Sequence, residues 1–146
     1  AASCRVRLVF DENTPRVVAH AVKLIAEAET AGSADPLEVL HALDLVGRGT
    51  LDVPLIQKVA DGSHARAALI TSDKSMRTKL HERAAFTDTG CIGVVLRGNW
   101  SHASMWDRAH MSLLWWTVWV TTISASAPGL LWRCPWSMRP KPLKPF

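Results

Sequence analysis

Val6-Arg7-Leu8-Val9-Phe10-Asp11-Glu12-Asn13-Thr14-Pro15 is the stretch whose reading decides the fold. A short apolar run that ends abruptly in two acids and an amide reads as a strand buried on both faces. Ionised carboxylates are costly inside such a sheet, which places Asp11 and Glu12 at its carboxyl edge. Open α/β sheets bind their ligands outside that edge. Pro15 stands where a helix would start, a position at which its missing N–H costs nothing.

The same design recurs downstream. Ala67-Ala68-Leu69-Ile70 is wholly apolar and ends in Thr71-Ser72-Asp73-Lys74, with a helix carrying Met76, Leu80 and Ala84 expected after it. Ile92 to Leu96 is a further strand, closed by Arg97-Gly98-Asn99. Between them, Val17, Val18, Ala21, Val22, Leu24, Ile25 and Ala28 form a helical stripe ending near Ala31-Gly32. Leu37 to Val46 suits strand or helix; its place after a helix and before Gly47-Arg48-Gly49-Thr50 makes its end the second strand. Asp52 reads as the N-cap of a helix with Pro54 in its first turn and Asp61-Gly62 at its end. A helix from about Ser101, a turn at Pro128-Gly129 and a possible edge strand from Leu130 to Cys134 complete the order. Alternating strands and helices of this length imply a parallel sheet covered on both faces.

Composition limits the possibilities. The 146 residues suit one domain, spanning residues 1–138, with a basic, Pro-rich tail over residues 139–146. Hydrophobic content of 48% with 21% charged residues excludes general disorder. A net charge of +4 suits a polyanionic partner without identifying one. Cys4, Cys91 and Cys134 form no metal pattern, and an odd count argues for reduced thiols and a cytoplasmic setting. The opening Ala-Ala-Ser lacks a basic-then-apolar leader and reads as a trimmed start. Met111 to Trp132 is uncharged over 22 positions, long enough to cross a bilayer. Its threonines and serines and the Pro128-Gly129 break argue instead for a buried helix followed by a strand, with no membrane partner. Trp115, Trp116 and Trp119 lie in that run and point to core or a protein interface, which would favour a homodimer or a bound protein partner. The six histidines show no metal-ligand spacing.

If the sheet is parallel, Asp11, Glu12, Thr71, Ser72 and Asp73 converge on one edge, and Asp52 lies at the same edge. Each acid alone is explicable as a cap or a solvated loop residue. Converging carboxylates repel and raise one another's pKa, a cost normally offset by a divalent cation. Hard oxygen donors, with Asn13 and the hydroxyls beside the acids, select Mg²⁺ or Mn²⁺ over Zn²⁺. Such an ion can activate water against a phosphodiester. Lys74 and Arg77 follow Asp73 closely enough to hold the substrate phosphate.

Phe10-Asp11-Glu12-Asn13-Thr14-Pro15, Asp52-Val53-Pro54-Leu55-Ile56 and Leu69-Ile70-Thr71-Ser72-Asp73-Lys74 together resemble the three signatures of PIN-like domains. The similarity is to the subgroup with a DEN-x-P opening and a T-x-D-K strand end, found among VapC-type toxins of toxin–antitoxin pairs, and covers roughly residues 5–99. The resemblance implies a three-layer α/β/α fold and a metal-dependent ribonuclease acting on RNA. By position, Asp11, Asp52 and Asp73 would be the acidic triad. Thr71 or Ser72 would orient the attacking water, and Glu12 or Asn13 would support the metal's ligands. A cognate antitoxin would hold such a toxin inactive. The chain departs from the pattern after the third signature, where many PIN domains carry a further acid. Asp88 is the nearest candidate and Asp107 a remoter one, neither in a matching motif. Two rivals stand beside this reading: a non-catalytic RNA-binding or interaction module of the same fold, and a phosphoacceptor signalling domain. The second would need Thr/Ser and Lys on separate strand ends, whereas Thr71, Asp73 and Lys74 crowd onto one.

Overall fold

The computed structural model describes residues 6–32, 37–61, 66–96, 104, 106–108 and 131–134, with backbone only at Lys74, Arg77, Leu96 and residues 131–134. Five strands form one sheet in the order β2-β1-β3-β4-β5. They are β1 (Val6–Phe10), β2 (Leu37–His41), β3 (Arg66–Thr71), β4 (Ile92–Leu96) and β5 (Leu131–Cys134), and every pairing is parallel. Helices α1 (Arg16–Glu29), α2 (Ala42–Leu45), α3 (Asp52–Ala60) and α4 (Leu80–Thr89) supply the crossovers, with a 3₁₀ turn at Lys74–Arg77.

The strands are apolar along their length because both faces are covered. Leu8, Phe10, Ala68, Ile70 and Val94 pack with Ala19, Val22 and Ala26 of α1 on one face. Their alternates Val9, Ala67 and Leu69 pack with Ile56 and Val59 of α3 and Phe86 of α4 on the other. This is a three-layer α/β/α sandwich. Burial of each large side chain among these stabilises by roughly 1.5–3 kcal/mol.

Three local expectations are corrected. The strand in Leu37–Val46 is its beginning, not its end: Leu37, Val39 and His41 are the buried alternates, and His41 then caps α2 through Nδ1, which accepts from Leu43 N at 3.1 Å. Asp52 is the first residue of α3, preceded by Leu51 in extended backbone, so it sits in the first turn rather than capping it. One helix does not run through Met76, Leu80 and Ala84: a 3₁₀ turn ends at Arg77, and α4 starts afresh at Leu80, which is exposed. Asp73 sets that turn, its Oδ1 accepting from Ser75 N at 2.8 Å.

The possible edge strand exists as Leu131–Cys134, paired with β4. Ser104 caps a short helical stretch at residues 106–108; its Oγ accepts from Asp107 N and donates to Asp107 Oδ2, while the expected helix start near Ser101 lies outside the described residues. No helix among the described residues is long and apolar enough to cross a membrane. The uncharged run over residues 111–130, with its tryptophans, and the tail over residues 139–146 lie outside the described residues.

Candidate active site

In a 2-1-3-4-5 sheet the strand order reverses between β1 and β3, and the two crossovers, leaving in opposite directions, open a crevice at the carboxyl ends of those strands. Asp11 follows β1 and Thr71 ends β3, on strands that are hydrogen-bonded neighbours. The ladder continues one step past β1, with Asp11 N donating to Ile70 O at 2.9 Å. A recess of about 100 Å³ opens there, lined by Asp11, Glu12, Asn13, Asp52 and Asp73, with Gly47, Thr50 and Met76 completing its wall.

Asp11 is the most constrained of these acids, at 3% exposure. Its Oδ1 accepts from Thr14 N (3.1 Å) and Thr14 Oγ1 (3.0 Å); its Oδ2 accepts from Thr71 Oγ1 at 2.6 Å. Burial raises its pKa above the ordinary carboxylate value, while the bonds from Thr71, Thr14 and the Ser72 backbone pull the other way. Thr71, itself fully buried, is committed on both sides. Its hydroxyl proton goes to Asp11 and its oxygen accepts from Asp73 N at 3.0 Å. One hydroxyl thus ties the first acid to the third.

Thr14 is held in turn by His41. With Nδ1 accepting from Leu43 N, the proton resides on Nε2, which donates to Thr14 O at 2.6 Å. Nothing in the sequence marks His41, because Leu37–Val46 reads as strand only at its end; at the end of β2 it belongs to the same sheet edge as Asp11 and Thr71. Glu12 and Asn13 are exposed, and Glu12 Oε2 accepts from Gly49 N at 3.3 Å. Gly49 sits at φ +75°, a conformation that side chains other than glycine's rarely adopt, so the loop needs glycine there to turn its amide to Glu12.

Asp52, half-buried at the start of α3, has a neighbour that sequence reasoning missed. Glu82 of α4 is 1% exposed, with one oxygen on Lys79 Nζ at 3.2 Å and the other, Oε2, without a hydrogen-bond partner. Burial and the adjoining Asp52 carboxyl push its pKa up, against the pull of Lys79. Its signal was the spacing of Glu82 with Ala85 and Phe86 on the buried face of α4. Asp88 and Asp107 are both exposed, and Asp107 serves the Ser104 cap. The backbone of Lys74 and Arg77 runs through the 3₁₀ turn beside the recess, and their side chains lie outside what is described.

Residues 6–98 match the profile described as a PIN like domain. The chain belongs to the PIN-like domain family. That family often has nuclease activity. No curated protein and no solved structure matches the chain. Among the described residues, no three acidic, imidazole or thiol groups stand close enough together to hold a metal ion. The carboxylates of Asp11, Glu12, Asp52 and Asp73, the Asn13 amide and the Thr50 hydroxyl line the recess with hard oxygen donors, the class that Mg²⁺ and Mn²⁺ prefer.

Proposed function

We propose that this PIN-like protein is a Mg²⁺- or Mn²⁺-dependent endoribonuclease of VapC type, the toxin of a toxin–antitoxin pair that acts in the cytoplasm. The observation carrying the reading is the 2.6 Å bond from Thr71 to Asp11 across the switch point of the sheet, with Asp52 and Asp73 on the rim of the same recess. Asp11, Asp52 and Asp73 would hold the ion, with Glu12, Asn13 and Ser72 beside them. When bound, the ion supplies water activation and charge stabilisation at the phosphoryl group. Thr14 and Thr71 fix the Asp11 carboxylate in one orientation, and Thr71 sets the Asp73 backbone against it. Lys74 and Arg77, whose backbone follows Asp73, would supply the cations for the scissile phosphate.

Purified protein should cleave single-stranded RNA in Mg²⁺ or Mn²⁺ and lose that activity on chelation. Asp11→Asn and Asp73→Asn should each abolish it, together with growth inhibition on expression. Unchanged cleavage by both variants would sink the assignment. The absence of a three-acid group among the described residues favours one alternative, a non-catalytic RNA-binding module of the same fold. RNA binding without cleavage in either metal would select it.

A further inference from the structure

A second recess, larger than the acidic one, lies beside α1. A cleft of about 420 Å³ runs between α1 and the sheet-edge strand β2, and nothing in the nuclease reading uses it. Arg16, His20 and Lys23 line its helix wall. Their i, i+4, i+7 spacing puts them on one face of α1, over about 10 Å at 1.5 Å per residue. Val39, Leu40 and His41 line the strand wall. Among the described residues of the lining Asp44 is the one acid, and it is paired with Arg16; Lys23 stands 3.9 Å from Glu27, outside the cleft. Both pairs join exposed side chains, and such pairs contribute about 0–1 kcal/mol, so either cation can turn to a better anion.

The two recesses are neighbours along the chain: His41 lines the cleft and Ala42 the acidic recess. His41, in the wall of the cleft, holds the Thr14 carbonyl, and Thr14 holds Asp11 in the acidic recess. Asn13 lines the acidic recess and Arg16, three residues on, lines the cleft. A ligand of the cleft would be anionic, extended over about 10 Å, and apolar in part, since the cleft also offers the faces of Val39 and Leu40. A single RNA strand has those properties, with phosphates for the cations and base or ribose faces for the aliphatic wall.

We propose that the α1–β2 cleft is the track along which single-stranded RNA leaves the acidic recess, with Arg16 and Lys23 as its phosphate contacts. The inference rests on the nuclease reading for the identity of the ligand. It makes the cleft a determinant of substrate length rather than of chemistry.

The test is binding of a labelled, mixed-sequence, single-stranded oligoribonucleotide in chelator across a salt series, read by fluorescence anisotropy. The double variant Arg16→Ala, Lys23→Ala should bind roughly tenfold more weakly, and its log K against log salt slope should be shallower by about 1.4, near 0.7 per lost contact. The charge-preserving exchange Arg16→Lys, Lys23→Arg should bind within about threefold of the parent, which separates lost charge from lost fold. Binding by the alanine variant with the parent's affinity and slope overturns the track. So does a variant that loses a polyglutamate peptide but keeps RNA, which would make the cleft a protein-docking surface. The two readings fail separately. A parent that cleaves RNA, with binding indifferent to the alanines, retires only the track. A parent that binds RNA through Arg16 and Lys23 but never cuts it retires only the nuclease.

Discussion

Thr71→Val is the most discriminating single change. Valine has nearly the shape of threonine, so packing at this fully buried position is held and only the hydroxyl is lost. Two bonds go with it. The 2.6 Å donation to the Asp11 carboxylate is charge-assisted and worth about 1.5–3 kcal/mol, and the 3.0 Å acceptance from Asp73 N about 0.5–1.5 kcal/mol. A loss of about 2–4.5 kcal/mol follows, or roughly 7–15 °C in Tm for a chain of this size. Thr71→Ser keeps both bonds and should lose only about 1 kcal/mol, the worth of one buried methyl group. The deficit should also depend on pH. Asp11 already has a folded pKa above its unfolded 3.8, so the native state binds that proton the more tightly and loses stability as pH rises from 3.8 through the folded value. Removing the Thr71 bond, which lowers that pKa, raises it further. The valine variant should therefore be closest to wild type in acid and furthest above the window. Urea melts across pH measure this. A valine variant within about 0.5 kcal/mol of wild type at neutral pH, or a serine variant equally damaged, would refute the reasoning.

Glu82→Gln removes a buried carboxyl beside Asp52 and keeps an acceptor for Lys79. Wild-type stability should fall as pH climbs from 4.5 through the raised folded value of Glu82, and the glutamine variant should show a flatter profile in urea melts over that window. Cys91 is buried and its thiol is pushed up to about 12, so in a Cys4→Ser, Cys134→Ser background the native protein should resist alkylation that goes to completion in urea, as read by mass. Gly90 closes α4 at φ +71°; Gly90→Ala should cost about 1–2 kcal/mol and Gly90→Asn distinctly less, measured by thermal melts.

The sheet was legible in the sequence because its strands are short apolar runs closed by polar residues, a pattern that parallel burial imposes on both faces. Asp11 and Asp73 were legible for the same reason: each sits at the point where hydrophobicity stops. The elements misjudged were those whose burial alternates or is shared. Leu37–His41 has half-buried Glu38 and Leu40 between its buried residues, so it read no better as strand than the helical residues after it. The turn at Lys74–Arg77 hides a break, because Met76 is buried from a 3₁₀ geometry while Leu80, at what looked like the next helical step, faces solvent. His41 and Glu82 escaped notice because their importance lies in partners far along the chain. Spacing within a segment carries no trace of Thr14 holding His41, or of Asp52 lying beside Glu82.

The Thr71–Asp11 bond also has a bearing on the order in which the protein is made. Its two ends are 60 residues apart, and Asp11 is synthesised first. At about 5–20 residues per second the ribosome takes some 3–12 s to cover that interval. Until β3 arrives, the β1 strand has no neighbour on that side and the Asp11 carboxylate has no donor for its second oxygen. The recess is thus a late product of translation, complete only when the middle of the sheet closes. A nascent chain stalled before Arg66 would carry the most recognisable motif of the protein and none of its assembled site.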